Sequence, residues 1–72
     1  MAEALAEVSG TVWKVSVEQG QVVEADQELV ILESMKMEIP VTAPIAGTVR
    51  EIRVRPEGSV AAGDVIAVID PG

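Results

Sequence analysis

The sequence contains neither cysteine nor histidine. Without cysteine the chain can form neither a disulfide bond nor a thiolate metal site. Without histidine it cannot use that residue for acid–base or nucleophilic catalysis, and most zinc sites are excluded as well. The longest apolar run is far too short to span a bilayer, and the N-terminal segment lacks the basic region of a secretory signal. These absences predict a cytoplasmic protein that binds no metal.

Aromatic residues are almost absent too, since Trp13 is the only one among 72 residues. Apolar residues nevertheless make up 49% of the chain and are mostly valine, alanine and isoleucine. Small branched side chains of this kind suit β-sheets. A domain of this length buries roughly 60% of its unfolded surface, so it lies near the lower limit for folding unaided. The composition predicts one small all-β domain that spans residues 1–72.

Positive charge is scarce, with five basic residues against twelve acidic ones and a net charge of −7. Such a balance opposes binding to phosphate backbones and to anionic lipid, so neither a nucleic acid nor a membrane is an expected partner. Three of the five basic residues, Arg50, Arg53 and Arg55, lie close together in the sequence. We interpret these arginines as a face of the domain that is exposed to solvent. Docking of this face to an acidic surface of a partner is the alternative.

The chain contains no window of helical length that combines a 3.6-residue apolar period with freedom from helix breakers, so essentially no α-helix is expected. Alternating apolar residues and β-branched content instead predict short strands between turns. In chain order these predicted strands are residues 4–8, 11–17, 22–23, 28–33, 37–42, 47–54, 60 and 65–70. Pro40 cannot donate to a sheet ladder, which predicts that its strand lies at a sheet edge or is kinked.

An internal repeat with a spacing of 37 residues accounts for this layout. One copy runs from Val8 to Glu33 and the other from Ile45 to Asp70. Neither copy could bury its apolar face alone. The two are therefore expected to pack as a flattened eight-stranded β-barrel or sandwich of pseudo-twofold-related four-strand units. The predicted shared core consists of Val15, Val17, Leu29, Ile31, Ile52, Val54, Ile66 and Val68.

The middle of the chain is occupied by Glu33-Ser34-Met35-Lys36-Met37-Glu38. Predicted strands flank this segment, so it should form a hairpin with Met35 and Lys36 at its tip. Two-residue hairpin turns favour glycine, asparagine or aspartate, because their central residues need a positive φ. Neither tip residue belongs to that set. A local rule that is broken without structural gain indicates function.

This central segment resembles the biotin-acceptor motif of biotinyl domains, which are the carrier domains of biotin-dependent carboxylases. The resemblance extends over nearly the whole chain and implies the pseudo-twofold eight-strand fold of biotinyl and lipoyl domains. Lipoyl domains usually carry Asp-Lys-Ala around their modified lysine, so the two flanking methionines favour biotin over lipoate. The resemblance implies that Lys36 carries biotin through an amide bond, and that recognition involves Glu33, Ser34, Met35, Met37 and Glu38.

The same resemblance implies a carrier without catalytic residues of its own. A biotin protein ligase would modify Lys36, and the carrier would then serve a biotin carboxylase and a carboxyltransferase. The chain most resembles the free-standing small biotin/lipoyl attachment proteins, and an excised carboxylase domain remains open.

Three other functions are weighed against this one. A lipoyl carrier of a dehydrogenase-type complex would use the same lysine. An unmodified interaction module would use the hairpin only as a turn. An enzyme using Glu33 and Glu38 as an acid–base pair is disfavoured, because so small a chain offers little room for a substrate cleft.

A few positions depart from the repeat or from the family pattern. Asp26 aligns with Gly63, and an aspartate tolerates the left-handed backbone that a glycine would adopt there. Glu57 aligns with Gly20, which leaves open a difference in turn type. Trp13 is predicted to be a partly covered aromatic at the edge of the barrel, and contact with a partner is the alternative.

Overall fold

Eight β-strands and the turns between them form the computed structural model, which describes residues 1–71. The strands are β1 (Ala2–Leu5), β2 (Gly10–Val15), β3 (Val22–Val23), β4 (Glu28–Ser34), β5 (Met37–Thr42), β6 (Gly47–Ile52), β7 (Ser59–Val60) and β8 (Val65–Asp70). No helix occurs within residues 1–71, as expected. The described chain accordingly has no helix that could cross a membrane.

The strands form two antiparallel four-stranded sheets with the orders β1-β8-β6-β3 and β5-β4-β2-β7. The expected all-β fold is confirmed in its sandwich form, with two separate sheets in place of a closed barrel. Each sheet contains strands from both halves of the sequence, because β3 pairs with β6 and β7 pairs with β2. The halves therefore interlock, and neither could form its sheets alone.

Three predicted strands, β3, β5 and β8, agree with the structure at both ends. The prediction for the first strand was wrong, since β1 begins at Ala2 and ends at Leu5. The position of β1 is set by its pairing with β8, in which Ala2 lies opposite Ile69. The local alternation of apolar residues cannot indicate a partner strand that is so distant in the sequence. β5 lies at a sheet edge, where Pro40 is tolerated, and the edge alternative is confirmed.

Backbone hydrogen bonds occur in pairs whose members are 37 residues apart. The amide of Gly20 donates to the carbonyl of Val49 at 2.7 Å, and the amide of Glu57 donates to the carbonyl of Val12 at 2.8 Å. Further such pairs are Asp26 to Ala43 with Gly63 to Ala6, Ala43 to Gln27 with Ala6 to Asp64, and Ser16 to Leu29 with Arg53 to Ile66. These pairs support the proposal that the chain consists of two copies of one unit.

Equivalent turns in the two halves share one backbone form. Asp26 has a φ of 68° and its equivalent Gly63 has 93°, so the aspartate adopts the left-handed conformation as expected. Glu57 has a φ of 69° and its equivalent Gly20 has 90°. In both of the latter turns the next amide donates to the carbonyl three residues earlier at 3.1 Å. The difference in turn type that the sequence left open is therefore absent.

The core lies between the two sheets, and no polar or charged residue is buried within residues 1–71. The largest fully buried side chains are Leu29, Leu32, Ile66, Ile69, Val12, Val23, Val30 and Val49. Leu29, Ile66 and Val17 confirm the predicted core. Of its other members, Val15, Ile52 and Val54 are only half-buried against it, and Val68 is buried outside the core cluster.

The prediction was wrong for Ile31, which is half-buried and lies outside the core, and it missed Val30 and Leu32. The physical reason is a β-bulge in β4, where the pairing register shifts between Glu28 and Val30. An extra residue in one strand changes which face the following side chains occupy. Leu29 and Val30 are therefore both buried, and strict alternation assigns the next residues to the wrong face.

Candidate functional site

Strands β4 and β5 form a hairpin whose turn consists of only Met35 and Lys36, because Ser34 pairs directly with Met37. The φ angles of the two turn residues are 52° and 64°. Two successive left-handed residues are the mark of a type I′ turn, which matches the twist of the flanking strands. The prediction of a hairpin with Met35 and Lys36 at its tip is confirmed.

This turn is unfavourable for the residues that form it. A left-handed backbone costs an L-residue other than glycine roughly 1–2 kcal/mol, and asparagine is among the few residues that tolerate it. Neither tip side chain regains this free energy by packing, since Lys36 is exposed and Met35 is 93% exposed. The side chains of Met35 and Lys36 are therefore not explained by the stability of the fold.

Substitution of Met35 by asparagine should therefore stabilise the protein. We expect a rise of roughly 1 kcal/mol in the free energy of unfolding, because asparagine relieves the left-handed strain and no buried contact is lost. Urea denaturation of the two proteins would measure it. Met37→Asn is the matched control, since Met37 lies in β5 outside the turn and should bring no gain. Equal effects of the two substitutions would contradict strain at the tip.

The base of the hairpin depends on a close contact that sequence reasoning missed. Gly10 begins β2 beneath the hairpin, and a Cβ atom there would lie 2.5 Å from the Glu33 carbonyl oxygen and 3.3 Å from Ser34 Cβ. Any larger residue would push β4 away from β2 at the base of the hairpin. The available signal was the recurrence of Gly-Thr-Val, and a Cβ atom at Gly47 would likewise collide with the backbone of Asp70.

The predicted recognition residues share the hairpin but differ in exposure. Met37 is 64% exposed, and Glu33 and Glu38 are exposed as well. Ser34 is half-buried above Gly10, so it contributes less surface than the others. The structure thus brings all of the predicted site residues together on one projecting element.

The charges of the hairpin are arranged in an unusual way. Glu33 and Glu38 are direct cross-strand partners, and like charges placed opposite each other destabilise a sheet. Lys36 forms no salt bridge with either of them, and the ion pairs within residues 1–71 lie elsewhere. The primary amine is therefore unpaired at the tip, and the two carboxylates lie on the second cross-strand residue pair below it.

The hairpin tip presents a side chain to the solvent and encloses nothing. A groove of about 450 Å³ runs along β1 and β5, and Lys36 does not line it. Within residues 1–71, no group of three or more carboxylates is placed to hold a metal ion. Chemically, the site is an accessible primary amine between two thioethers.

Trp13 and the arginines lie away from this tip. Trp13 is 52% exposed and occupies a bulge in β2. Arg50 occupies the equivalent bulge of β6 and lies 3.7 Å from Asp70, and Arg53 lies 3.2 Å from Glu51. Both arginines already have carboxylate partners on their own chain. This pairing favours the solvated face over docking to an acidic surface.

Comparison of the chain with known proteins identifies its family. The profile of a family described as "Biotin-requiring enzyme" matches residues 2–69. The chain belongs to the biotin/lipoyl attachment family. Within this family, the chain is 47% identical over 70 residues to the "Biotinylated protein TB7.3 homolog" of Mycobacterium leprae, covering 96% of this chain and 99% of that protein.

Some members of the biotin/lipoyl attachment family are larger. The chain is 45% identical over 64 residues to the "Biotin carboxyl carrier protein" of Streptococcus mutans, covering 89% of this chain and 49% of that one. The crystal structure of the Kluyveromyces lactis urea carboxylase matches with a TM-score of 0.91 and 36% identity. That match covers 96% of this chain and 6% of the carboxylase. The chain is thus a small biotinyl domain, and the lipoyl alternative is less supported.

Proposed function

We propose that this biotinyl domain is a biotin carboxyl carrier in which Lys36 receives biotin through an amide bond. The observation that carries the proposal is the unpaired, exposed amine of Lys36 at the tip of a turn that its own residues strain. A covalent amide requires an accessible primary amine, and the tip fits that requirement. Lys14, which lies within β2, has no comparable projection.

The chain itself contributes the nucleophile and its position. A biotin protein ligase would offer biotin as an acyl adenylate, and the Lys36 nitrogen would attack its carbonyl carbon. The C–N bond forms as the C–O bond to adenylate breaks, and the amine gives up its proton to a base. The hairpin tip has no cleft around the amine, so the ligase supplies that base and excludes water.

Once attached, biotin supplies a ring nitrogen that can hold a carboxyl group. The role of this chain is then to hold the attachment point at the tip of the β4–β5 hairpin, just beyond the pairing of β4 with β2, and to enter two active sites in turn. The partners are a biotin carboxylase and a carboxyltransferase, and the domain has no catalytic role of its own. Tethering raises the local concentration of the attached group at each site. We also propose that this cycle runs in the cytoplasm.

The direct test is an intact mass after the chain is coexpressed with a biotin ligase. We expect a gain of one biotin less one water, localised to Lys36 by peptide mapping, and retention on streptavidin. A lipoyl increment at the same lysine in the native host would instead identify a lipoyl carrier. An unmodified mass under both conditions would leave the hairpin as a turn and refute the carrier function.

Exchange of the two flanking methionines should separate recognition from folding. In Met35→Asp with Met37→Ala, the tip acquires the string typical of lipoyl domains. We expect the kcat/KM of biotin ligase to fall roughly tenfold, which corresponds to about 1.4 kcal/mol of lost recognition. The fold should be retained, because both side chains are exposed and aspartate, like asparagine, tolerates the left-handed backbone at position 35. The measurement is a competition between wild type and variant for a biotin ligase and a lipoate ligase, read by mass.

A matched control is Val22→Asp, which places a carboxylate at an exposed apolar position in β3, on the other sheet. This variant should be modified at the wild-type rate. If the methionine variant also matched the wild type with both ligases, the methionines would have no part in recognition.

A further inference from the structure

The groups of this chain that peroxide oxidises most readily are concentrated at the hairpin. The chain has no cysteine and only three methionines. Two of these, Met35 and Met37, flank Lys36 and are 93% and 64% exposed, and the third, Met1, is 71% exposed. Thioethers are oxidised to sulfoxides when an oxidant can reach the sulfur. Two of the three thioethers therefore stand next to the proposed acceptor, open to solvent.

We propose that Met35 and Met37 are modification sites at which a hydroperoxide forms methionine sulfoxide, and that this modification suppresses acylation of Lys36. The inference rests on the proposed function. In the reaction one oxygen atom passes from peroxide to sulfur. The O–O bond breaks, an S–O bond forms, the sulfur loses two electrons, and hydrogen peroxide leaves as water.

The expected effect follows from the polarity of the product. A sulfoxide has nearly the shape of the thioether, but it is polar, chiral and a strong hydrogen-bond acceptor. A partner that covers the tip with apolar surface would have to remove water from two such oxygens. The charges of Lys36, Glu33 and Glu38 do not change. The suppression therefore acts through desolvation and shape, and it leaves the amine chemically competent.

The fold should tolerate this oxidation. Neither methionine belongs to the buried core, and Met35 contributes almost no buried surface. The tip that is open to peroxide is equally open to a methionine sulfoxide reductase, so the modification can be reversed without unfolding. The arrangement would make acylation of Lys36 sensitive to peroxide, although the chain has no thiol.

The test compares oxidised and unoxidised protein with the same biotin ligase. Purified chain is treated with hydrogen peroxide, peptide mass mapping locates the added oxygen atoms, and thermal melting verifies the fold. We expect oxygen on both Met35 and Met37, an unchanged melting temperature, and a fall in acylation rate of roughly fivefold or more. Treatment with methionine sulfoxide reductases should restore the rate.

The matched control is the double variant Met35→Leu with Met37→Leu, which keeps apolar bulk at the tip but cannot form a sulfoxide. Met1 and Trp13 remain oxidisable in this variant, yet its acylation rate should not fall after peroxide. The single variants Met35→Leu and Met37→Leu replace it if the ligase does not accept the double variant, and each should show a smaller fall than the wild type.

Three results would overturn the proposal. The oxidised wild type could be acylated as fast as the unoxidised protein. The leucine variants could lose as much rate as the wild type, which would place the effect at Met1 or Trp13. Absence of acylation in untreated wild type would instead refute the acceptor role of Lys36, and the proposal with it. The untreated rate thus distinguishes failure of the proposed function from failure of this inference.

Discussion

Replacement of Lys36 by arginine should abolish attachment of biotin and leave the fold intact. Arginine keeps the positive charge, but its guanidinium stays protonated and offers no amine nucleophile. Because Lys36 is exposed and forms no salt bridge within residues 1–71, the free energy of unfolding should change by no more than about 0.5 kcal/mol. Acylation should fall below detection, as read by intact mass and by streptavidin binding after coexpression with a biotin ligase.

Lys14→Arg is the matched control for this substitution. Lys14 is the other lysine of the chain, and it is exposed within β2. Its replacement should leave both the rate and the extent of acylation unchanged. The assignment of the acceptor would be wrong if streptavidin still retained the Lys36→Arg protein. It would also be wrong if peptide mapping of the wild type located biotin on Lys14.

Truncation of a central core residue should have the largest effect on stability. Leu29 and Ile66 occupy equivalent positions in the two halves, and both are fully buried between the sheets. Leu29→Ala and Ile66→Ala should each cost roughly 2–5 kcal/mol, through lost apolar burial and the cavity left behind. The free energy of unfolding of a domain is about 5–15 kcal/mol, and small domains lie at the low end of this range. Either variant should therefore unfold at a markedly lower urea concentration than the wild type.

Leu5→Ala supplies the control for these truncations. Leu5 is the same residue type as Leu29, but it is 46% exposed at the end of β1. Its truncation should cost clearly less than that of Leu29. If thermal melts and urea titrations showed negligible loss for both core variants, the two halves would not share one core.

The hairpin could be predicted from the sequence because its signals are local. An apolar run leads into Glu33, an alternating strand begins at Met37, and only two residues remain for the turn between Ser34 and Met37. The lack of a turn-forming residue there pointed to function, and the positive φ angles of Met35 and Lys36 show that the misfit is physical. The role of Gly10 was not predicted. The repeated Gly-Thr-Val marks its position, but the contact with Glu33 that explains it arises only when β2 pairs with β4.

The face assignments were less predictable, because they depend on β-bulges. A bulge in β4 buries both Leu29 and Val30 and turns Ile31 outwards. The amino-acid sequence does not indicate this bulge, since valine and isoleucine are suited to either face of a β-sheet. The start of β1 was likewise set by pairing with β8, more than sixty positions away in the sequence.

The pairing of β8 with β1 has a consequence for the connectivity of the chain. Ile69 lies opposite Ala2, just as Leu32 lies opposite Ile39 in the β4–β5 hairpin. A short loop joining the chain ends would therefore close a second hairpin of the same kind. New termini could be opened at the turn containing Gly20, where the space around a Cβ position is open and the hydrogen bond from the Gly20 amide to Val49 would have to be kept. Such a circularly permuted domain would have room for an acceptor lysine on each of two hairpins, and one domain could then carry two prosthetic groups.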